Sequence, residues 1–379
     1  MWEFKALEFD AKRNPVFVPL SAERAARAEA YRNALTAAKI SAVANPKFSN
    51  YFVKESIGFR DTLPPTLPAG NIEYGLCQAL HGEEFAVAAL RSRLGRPLSR
   101  RVDKTPGGPL PDDCLPEDGI ILGIIAGVPG NIASPCGNCR DIMRDDLGIN
   151  FEIVSGAAEG GVAIVAKMSD FLYRDYFCFT GDYSFKLDMD RWQKVVGEIV
   201  GEGMKLENAA YVPADTGLIG QRKYMALIET DTARYFGAHD VMCEYHPIYA
   251  LRDAVRVARR SGDPFVKRVT VVAPFYGEGD SLPPDVMYKD RQHLLELTLQ
   301  GELVAGEERD PSVYLFAHDG RLFDEKGEVK PLGAWLTSVK EWLPLAFSPR
   351  NFGEEYLQYL TKYFKSKTRA EHSAYPFGR

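Results

Sequence analysis

The chain has 379 residues, of which 45% are apolar and 26% charged, the balance of an ordinary globular protein long enough to hold two domains. Its formal net charge is −6, so no broad positive field is available to attract nucleic acid. Six cysteines are too few for a disulfide scaffold, and the first residues lack the charged-then-apolar layout of a secretory signal, so we expect a cytoplasmic protein with reduced thiols.

Three segments are predicted along the chain. Residues 1–47 are predicted to be a helical N-terminal extension, because the run from Ser21 to Ala44 is rich in alanine and begins with a helix-capping serine. Two α/β domains follow, at 48–180 and 190–379, joined by the stretch FTGDYSFKLDMD. In each domain the sequence predicts helices, a strand hairpin, a helix bearing a motif, an apolar strand, another helix and further strands. This order of elements favours a mixed sheet with helices on both faces.

The stretch ALHGEEFAVAAL predicts a helix whose first turn contains His81 and Glu83. The longest apolar run lies further along the chain, from Ile120 to Val128. It is far shorter than the roughly 18 to 20 residues that a membrane-spanning helix needs. We therefore predict a buried strand there and expect no membrane association.

A second helix is predicted over PCGNCRDIMRDDLG, opened by Pro135 and ended by Gly148, with Cys136 and Cys139 in its first turn. A C-x-x-C pair in a reducing compartment serves redox exchange, structural zinc or catalytic zinc. Structural zinc fingers have a second pair, which this chain lacks, and redox pairs usually follow the first strand of a domain. The pattern favours a site with three protein ligands and an open fourth position.

His81 is the best candidate for the third ligand. The N-termini of helices favour thiolates, and one neutral imidazole with two thiolates balances the charge of Zn²⁺. Cys77, one turn earlier, is a weaker candidate, since the choice of His81 places Glu83 at a suitable offset for proton transfer. H-x-E followed about fifty residues later by P-C-x-x-C is the signature of zinc-dependent deaminases of cytosine and adenine.

Four motifs together resemble the cytidine deaminase family, in particular its homodimeric branch: FSNYFV, AGNIEYG, HGEE and SPCGNCRDIM, in family order. The resemblance implies zinc bound by His81, Cys136 and Cys139, with Glu83 moving protons between water and the ring. It also implies that Asn71 and Glu73 hold the sugar hydroxyls, that Tyr51 packs on the pyrimidine, and that Gly82 contributes its backbone N–H. Arg140, next to Cys139, is expected either to donate to a ligand thiolate or to lie on the surface.

The chain departs from the family pattern beside the site. Lys54 and Glu55 stand where the family has glycine and then alanine, and Gly82 stands where it usually has alanine. Proline-rich stretches near residues 60–70 and 102–118 predict enlarged loops. These departures leave the substrate open between cytidine, deoxycytidine and another cytosine-containing compound, such as a nucleotide or a nucleoside antibiotic.

The second half is similar to the first in degraded form, with matching segments offset by 162 to 164 positions, but it has no P-C-x-x-C. Arg291 can be matched with Arg140, and Asp290 then replaces Cys139. Cys243 with His246 supplies only two potential ligands. The resemblance therefore implies two tandem cytidine-deaminase-like three-layer domains, of which the second is degenerate and holds no zinc.

The function implied is hydrolytic deamination of cytidine or deoxycytidine to the uracil nucleoside and ammonia, in pyrimidine salvage, by a homodimer that binds a small-molecule nucleoside. The acidic charge disfavours an RNA- or DNA-editing enzyme. A non-catalytic zinc-binding or scaffold protein is the other alternative, although a structural site has no use for the Glu83 carboxyl. The basic stretch at 361–379 is assigned no function.

Overall fold

The computed structural model describes residues 1–10, 15–41, 52–59, 67–75, 78–94, 119–126, 134–172, 194–202, 224–238, 248–274, 286–318, 333–346, 348, 350 and 354–374. The chain forms two compact units. Unit 1 comprises Met1–Arg174 with Pro344–Glu354, and unit 2 comprises Asp175–Leu343 with Glu355–Arg379. The predicted linker at 179–190 and most of the two predicted loops lie outside the described residues.

Unit 1 is built on a seven-stranded sheet in the order β2-β1-β9-β8-β7-β3-β4. Two neighbouring pairs, β1–β9 and β7–β8, are parallel, and the other pairs are antiparallel. A separate hairpin, β5–β6, leads into the helix of the HGEE motif. The strands are β1 (Trp2–Phe9), β2 (Pro15–Pro19), β3 (Val53–Phe59), β4 (Leu67–Gly70), β5 (Ile72–Gly75), β6 (Gln78–Leu80), β7 (Ile120–Ala126), β8 (Glu152–Ala157) and β9 (Gly161–Lys167).

Helices cover both faces of this sheet. They are α1 (Ala22–Ala25), α2 (Ala28–Ile40), α3 (Gly82–Leu94) and α4 (Gly137–Leu147). Ser56 in β3 faces α2, since its hydroxyl donates to the Ala34 carbonyl at 2.7 Å. Successive side chains of a strand point to opposite faces, so Glu55 points to the other face, where it meets Gly82 at the start of α3. The predicted α/β class with a mixed sheet is confirmed.

The N-terminal segment belongs to unit 1 and is only partly helical. Helix α2 lies within the predicted helical run, whereas β1 and β2 precede it and form one edge of the seven-stranded sheet. The physical reason is that β1 can complete its backbone hydrogen bonds on β9, beside which it lies parallel, while Trp2 and Phe4 pack against the core beneath α2. A helical extension separate from the domain is therefore not what these residues form.

A buried carboxylate holds the N-terminal helices on the sheet. Glu152 in β8 accepts a hydrogen bond from the Tyr31 hydroxyl at 2.8 Å and pairs with Arg27 at 3.0 Å and Arg24 at 3.3 Å. Burial raises the pKa of Tyr31 well above its usual value, and the negative Glu152 adds to this rise. The phenol therefore stays protonated and continues to donate.

Unit 2 contains a five-stranded sheet in the order β11-β10-β12-β13-β14. Only β12–β13 is parallel, so the order and directions match those of β4-β3-β7-β8-β9 in unit 1. Residues 194–202 are helical, and their apolar side chains pack on this sheet. The named elements are β10 (Met225–Thr230), β11 (Arg234–Gly237), α5 (Ala250–Arg260), β12 (Val266–Pro274), α6 (Tyr288–Ala305), β13 (Ser312–His318), β14 (Gly333–Ser338), α7 (Val339–Trp342) and α8 (Glu354–Ala374).

Within the described part of the chain, every helix is too short or too polar to cross a membrane.

Replacing Leu35 by alanine should destabilise unit 1. The Leu35 side chain is fully buried in the cluster between α2 and the sheet, so truncation leaves a cavity and should cost about 2–5 kcal/mol. Urea unfolding followed by circular dichroism measures the loss. Arg32→Ala, on the exposed side of α2, is the control and should change stability by less than about 0.5 kcal/mol. Equal stability of the two variants would contradict the packing of α2 on the sheet.

Candidate metal centre

One imidazole and two thiols meet at the predicted site. The Nδ1 atom of His81 lies 3.3 Å from Cys136 Sγ and 3.4 Å from Cys139 Sγ, and the two sulfurs are 3.5 Å apart. Tetrahedral zinc, with Zn–S near 2.3 Å and Zn–N near 2.0 Å, places its ligand atoms roughly 3.5–3.8 Å apart, within about 0.3 Å of the distances found here. The donor set and its spacing therefore fit zinc, and three ligands leave one tetrahedral position for water or substrate. Among the described residues, this is the one group whose ligand atoms lie close enough to share an ion.

Two helix N-termini position these ligands. Cys136 is the N-cap of α4 and Cys139 is its third residue, while His81 directly precedes α3. Their carbonyls accept the first bonds of the helices, from Phe85 N–H to His81 and from Arg140 N–H to Cys136, each at 3.0 Å. Helix α4 ends before Gly148, as predicted, where φ is 85°. The positive ends of both helix dipoles thus point at the sulfurs and favour thiolate.

A polar clamp that the sequence reading missed joins the two helix starts. The Glu84 carboxylate accepts the backbone N–H of His81 at 2.8 Å, which caps α3, and its other oxygen accepts the side-chain amide of Asn138 in α4. The capping half of this clamp is readable from sequence, since a glutamate at the third helical position often bonds back to the N-cap. The amide half depends on where α4 lies.

Glu83 lies against the cluster. It is buried, and its Oε2 lies 3.3 Å from Cys139 Sγ, which donates to it. Burial raises the pKa of Glu83, and the negative charge of Cys136 raises it further. A carboxyl with a raised pKa beside the cluster is chemically suited to accept and return a proton.

The protons of the cluster are unevenly distributed. The hydrogen-bonding contact with Cys139, and then that with His81, lowers the pKa of Cys136 well below its usual value. Burial raises the pKa of the Cys139 thiol, and the bond to Cys136 raises the pKa of His81 to about 9. Binding of a dication to all three therefore releases protons, as is general for zinc sites built from thiols and imidazole.

The structure places only some of the predicted substrate-binding residues. The side-chain oxygen of Asn71 accepts the Val53 N–H at 3.1 Å, and the Asn71 N–H donates to the Val53 carbonyl at 3.1 Å, which joins the start of β3 to the residue before β5. Glu73 lies in β5, but its side chain, like the whole of Tyr51, is outside the described residues. Gly82 is the first residue of α3 and is buried. Their contacts with a nucleoside stay predictions.

Arg140 is fully buried and is not a surface residue. Its guanidinium donates to the carbonyls of Pro135 at 2.8 Å, Phe171 at 2.5 Å, Pro344 at 2.6 Å and Leu345 at 2.8 Å. These bonds fix the loop before Cys136 and attach the segment at 344–345 to unit 1. The proposed interaction of Arg140 with a ligand thiolate stays a prediction.

Two of the departures from the family pattern, Glu55 and Gly82, contact each other in the structure. The Glu55 carboxyl occupies the space in which a side chain on Gly82 would lie: a Cβ built there would be 1.6 Å from Glu55 Oε2. Lys54 points the other way, and its Nζ lies 3.4 Å from the Lys39 carbonyl in α2. Of the two residues that replace glycine and alanine, only Glu55 faces the site. Sequence reasoning recorded both substitutions but did not pair Glu55 with Gly82.

Unit 2 has an ion pair at the start of α6. Asp290, the third residue of α6 as Cys139 is of α4, is fully buried. It pairs with Arg252 at 2.6 Å and accepts from the Tyr224 hydroxyl at 3.2 Å. The stretch containing Cys243 and His246 lies outside the described residues.

No protein-family model matches the chain, and no curated protein matches its sequence. Solved structures similar to part of it include a cytidine deaminase from Burkholderia pseudomallei, with 15% identity and a TM-score of 0.28 over 40% of this chain and 97% of that one. Another is a cytidine deaminase from Mycobacterium leprae, with 20% identity and a TM-score of 0.26 over 38% of this chain and 96% of that one. Similarity at these TM-scores supports no conclusion about activity, which depends instead on the geometry of the cluster.

Replacing Asn138 by alanine should weaken zinc binding. Loss of the amide frees the Glu84 carboxylate from α4 and loosens the two helix starts, so we expect the zinc affinity to fall about tenfold or more. Competition with a chromophoric chelator measures it. Asn150→Ala, at an exposed position beyond α4, should leave the affinity unchanged. Equal affinities of the two variants would contradict the clamp.

The contact between Glu55 and Gly82 predicts that substitutions at the two positions have non-additive effects on stability. Gly82→Ala alone should destabilise unit 1 by about 3 kcal/mol, because the new methyl overlaps the Glu55 carboxyl. Combined with Glu55→Ala, the same change should cost less than about 1 kcal/mol, since the methyl then occupies the vacated space. Urea unfolding of both single variants and the double variant completes the cycle. Additive effects would contradict the overlap.

Proposed function

We propose that unit 1 is a zinc-dependent hydrolytic deaminase whose substrate is cytidine or deoxycytidine. The observation that supports this most directly is the contact between Glu83 and the His81/Cys136/Cys139 cluster. Three ligands leave the metal one open position, and a proton-accepting carboxyl lies beside it. A purely structural zinc site is closed by four protein ligands and needs no such carboxyl.

Zinc bound to the three ligands would supply a Lewis acid that makes water nucleophilic near neutral pH. The part of Glu83 is to accept one proton from the attacking water and deliver it to ring N3, and then to accept the second, from the new hydroxyl on C4, and deliver it to the amine. A C–O bond forms at C4, the bond from C4 to the amine breaks, and the amine leaves as ammonia. Cytosine and water thereby give uracil and ammonia, with one water proton on N3 and the other on the leaving nitrogen.

The same proposal assigns the remaining residues. Asn71 and Glu73 would hold the sugar hydroxyls, Tyr51 would pack on the ring, and the backbone N–H of Gly82 would bind the base. A homodimer, a role in pyrimidine salvage and a cytoplasmic location are part of the proposal.

We also propose that unit 2 is a second, zinc-free copy of the same fold. The shared strand order supports this, and so do two equivalent arginines. Arg140 and Arg291 are each the fourth residue of their helix, and the Nε of each donates to the carbonyl five residues earlier, at 2.8 and 2.9 Å. The Asp290–Arg252 pair would then replace the metal.

Another cytosine-containing compound is the second candidate substrate. The position of Glu55 in the site favours it, since this carboxyl replaces a small residue there. Lys54 does not, because it faces α2. Ammonia release from a panel of cytosine bases, nucleosides and nucleotides separates the candidates, and release from none of them would point to a non-catalytic zinc protein.

Replacing Glu83 by glutamine should abolish turnover while the protein keeps its zinc. The amide cannot accept the water proton, so we expect the rate of ammonia release to fall at least about 1,000-fold. Zinc content is measured on the same sample by mass spectrometry. Glu159→Gln, in an exposed turn, is the matched control and should retain full activity. An active E83Q enzyme would exclude the proton-transfer role.

A further inference from the structure

Glu55 is a buried carboxyl that meets no N–H or hydroxyl donor among the described residues. Its side chain is fully buried in β3, and neither Oε1 nor Oε2 meets a donor. A buried carboxyl without a donor is unfavourable, whether it is ionised or must take up a proton. Such groups are rare in folded proteins, so a bound ligand that supplies the donor would explain this one.

The position of Glu55 shows where that ligand must bind. The carboxyl lies over Gly82, the middle residue of the H-x-E motif. On either side of Gly82 in the chain are His81, which belongs to the cluster, and Glu83, which contacts it. Burial raises the pKa of Glu55 well above its usual range, and the charge of the adjacent Glu83 and a hydrogen-bonding contact with that carboxyl raise the pKa further. Glu55 and Glu83 therefore lie side by side next to the imidazole and the two thiols.

The chemistry of the cytosine ring limits which of its groups can form a hydrogen bond with Glu55. Glu83 has to reach ring N3 and the exocyclic amine, so a carboxyl beside Glu83 faces the same edge of the ring. On that edge the amine is the donor that cytosine offers, whereas N3 is an acceptor. In the uracil product, a carbonyl oxygen stands in the place of the amine. An ionised Glu55 has only acceptor oxygens, so it can pair with the amine but not with the carbonyl, and a dication in the site favours this ionised form.

We propose that Glu55 is a substrate-binding residue that accepts a hydrogen bond from the exocyclic amine of the ring and thereby distinguishes the amino substrate from the oxo product. This rests on the deaminase function proposed above. The covalent step is unchanged: the bond from C4 to the amine breaks, the nitrogen keeps its two protons and takes the third from Glu83, and ammonia leaves from beside Glu55. The carbonyl that remains has no N–H to offer Glu55, so the product binds weakly.

The test compares binding of cytidine and uridine, and of cytosine and uracil, by calorimetry to zinc-loaded protein in the Glu83→Gln background, where turnover does not interfere. We expect this protein to bind the amino member of at least one pair about tenfold or more tightly than the oxo member, the range for a hydrogen bond to a carboxylate. Adding E55A and G82A together removes the carboxyl but refills its space, and should reduce the preference to less than about twofold.

Two further variants keep the test decisive. Lys54→Ala changes the adjacent residue, which faces α2, and should leave the preference intact. If the E55A/G82A protein does not fold, Glu55→Gln replaces it, because the amide keeps the shape and offers an N–H to the oxo compound, which should bind more tightly. A preference that persists without Glu55, the lack of any preference, or the lack of binding would each overturn the proposal. Ammonia release by the wild-type protein tests the deaminase function separately.

Discussion

The meeting of two helix N-termini is the constraint on which the proposed site depends. Residues 81 and 136–139 are more than fifty positions apart, and they come within 3.5 Å because α3 and α4 begin at the same place beside the sheet. Both helix dipoles stabilise negative charge on the sulfurs, and the Glu84–Asn138 clamp prevents the two starts from separating. The ligand geometry thus comes from backbone elements and not from flexible loops, which suits a metal site that must keep one position open.

A second constraint is the limited space between strand β3 and the start of helix α3. The strand that faces α3 carries a carboxyl at residue 55, and this is possible because residue 82 has no side chain. The result is a pair of carboxyls, Glu55 and Glu83, in a site otherwise made of an imidazole and two sulfurs. Two such groups in one dry space are costly unless a metal and a donor-bearing ligand complete them. The proposed roles follow from this: Glu83 moves the protons and Glu55 recognises the amine.

Local signals allowed the ligands to be predicted, whereas long-range packing determined what was missed. His81, Cys136 and Cys139 are recognisable because their spacing and the flanking Pro135 and Gly148 place them at helix starts. Strand β1 was missed because one of its two partner strands, β9, lies about 160 residues away. The burial of Arg140 likewise depends on carbonyls from distant segments. By contrast, the opposite directions of Lys54 and Glu55 follow from the two-residue period of a strand, and the sequence could have given them.

X-ray absorption at the zinc edge of the purified, zinc-loaded protein measures which atoms surround the metal. We expect one zinc per chain with two sulfur neighbours at about 2.3 Å and two lighter neighbours at about 2.0–2.1 Å, which are the His81 nitrogen and the oxygen of a water at the open position. A shell of four sulfurs, a shell of nitrogen and oxygen alone, or a protein that retains no zinc would contradict the proposed site.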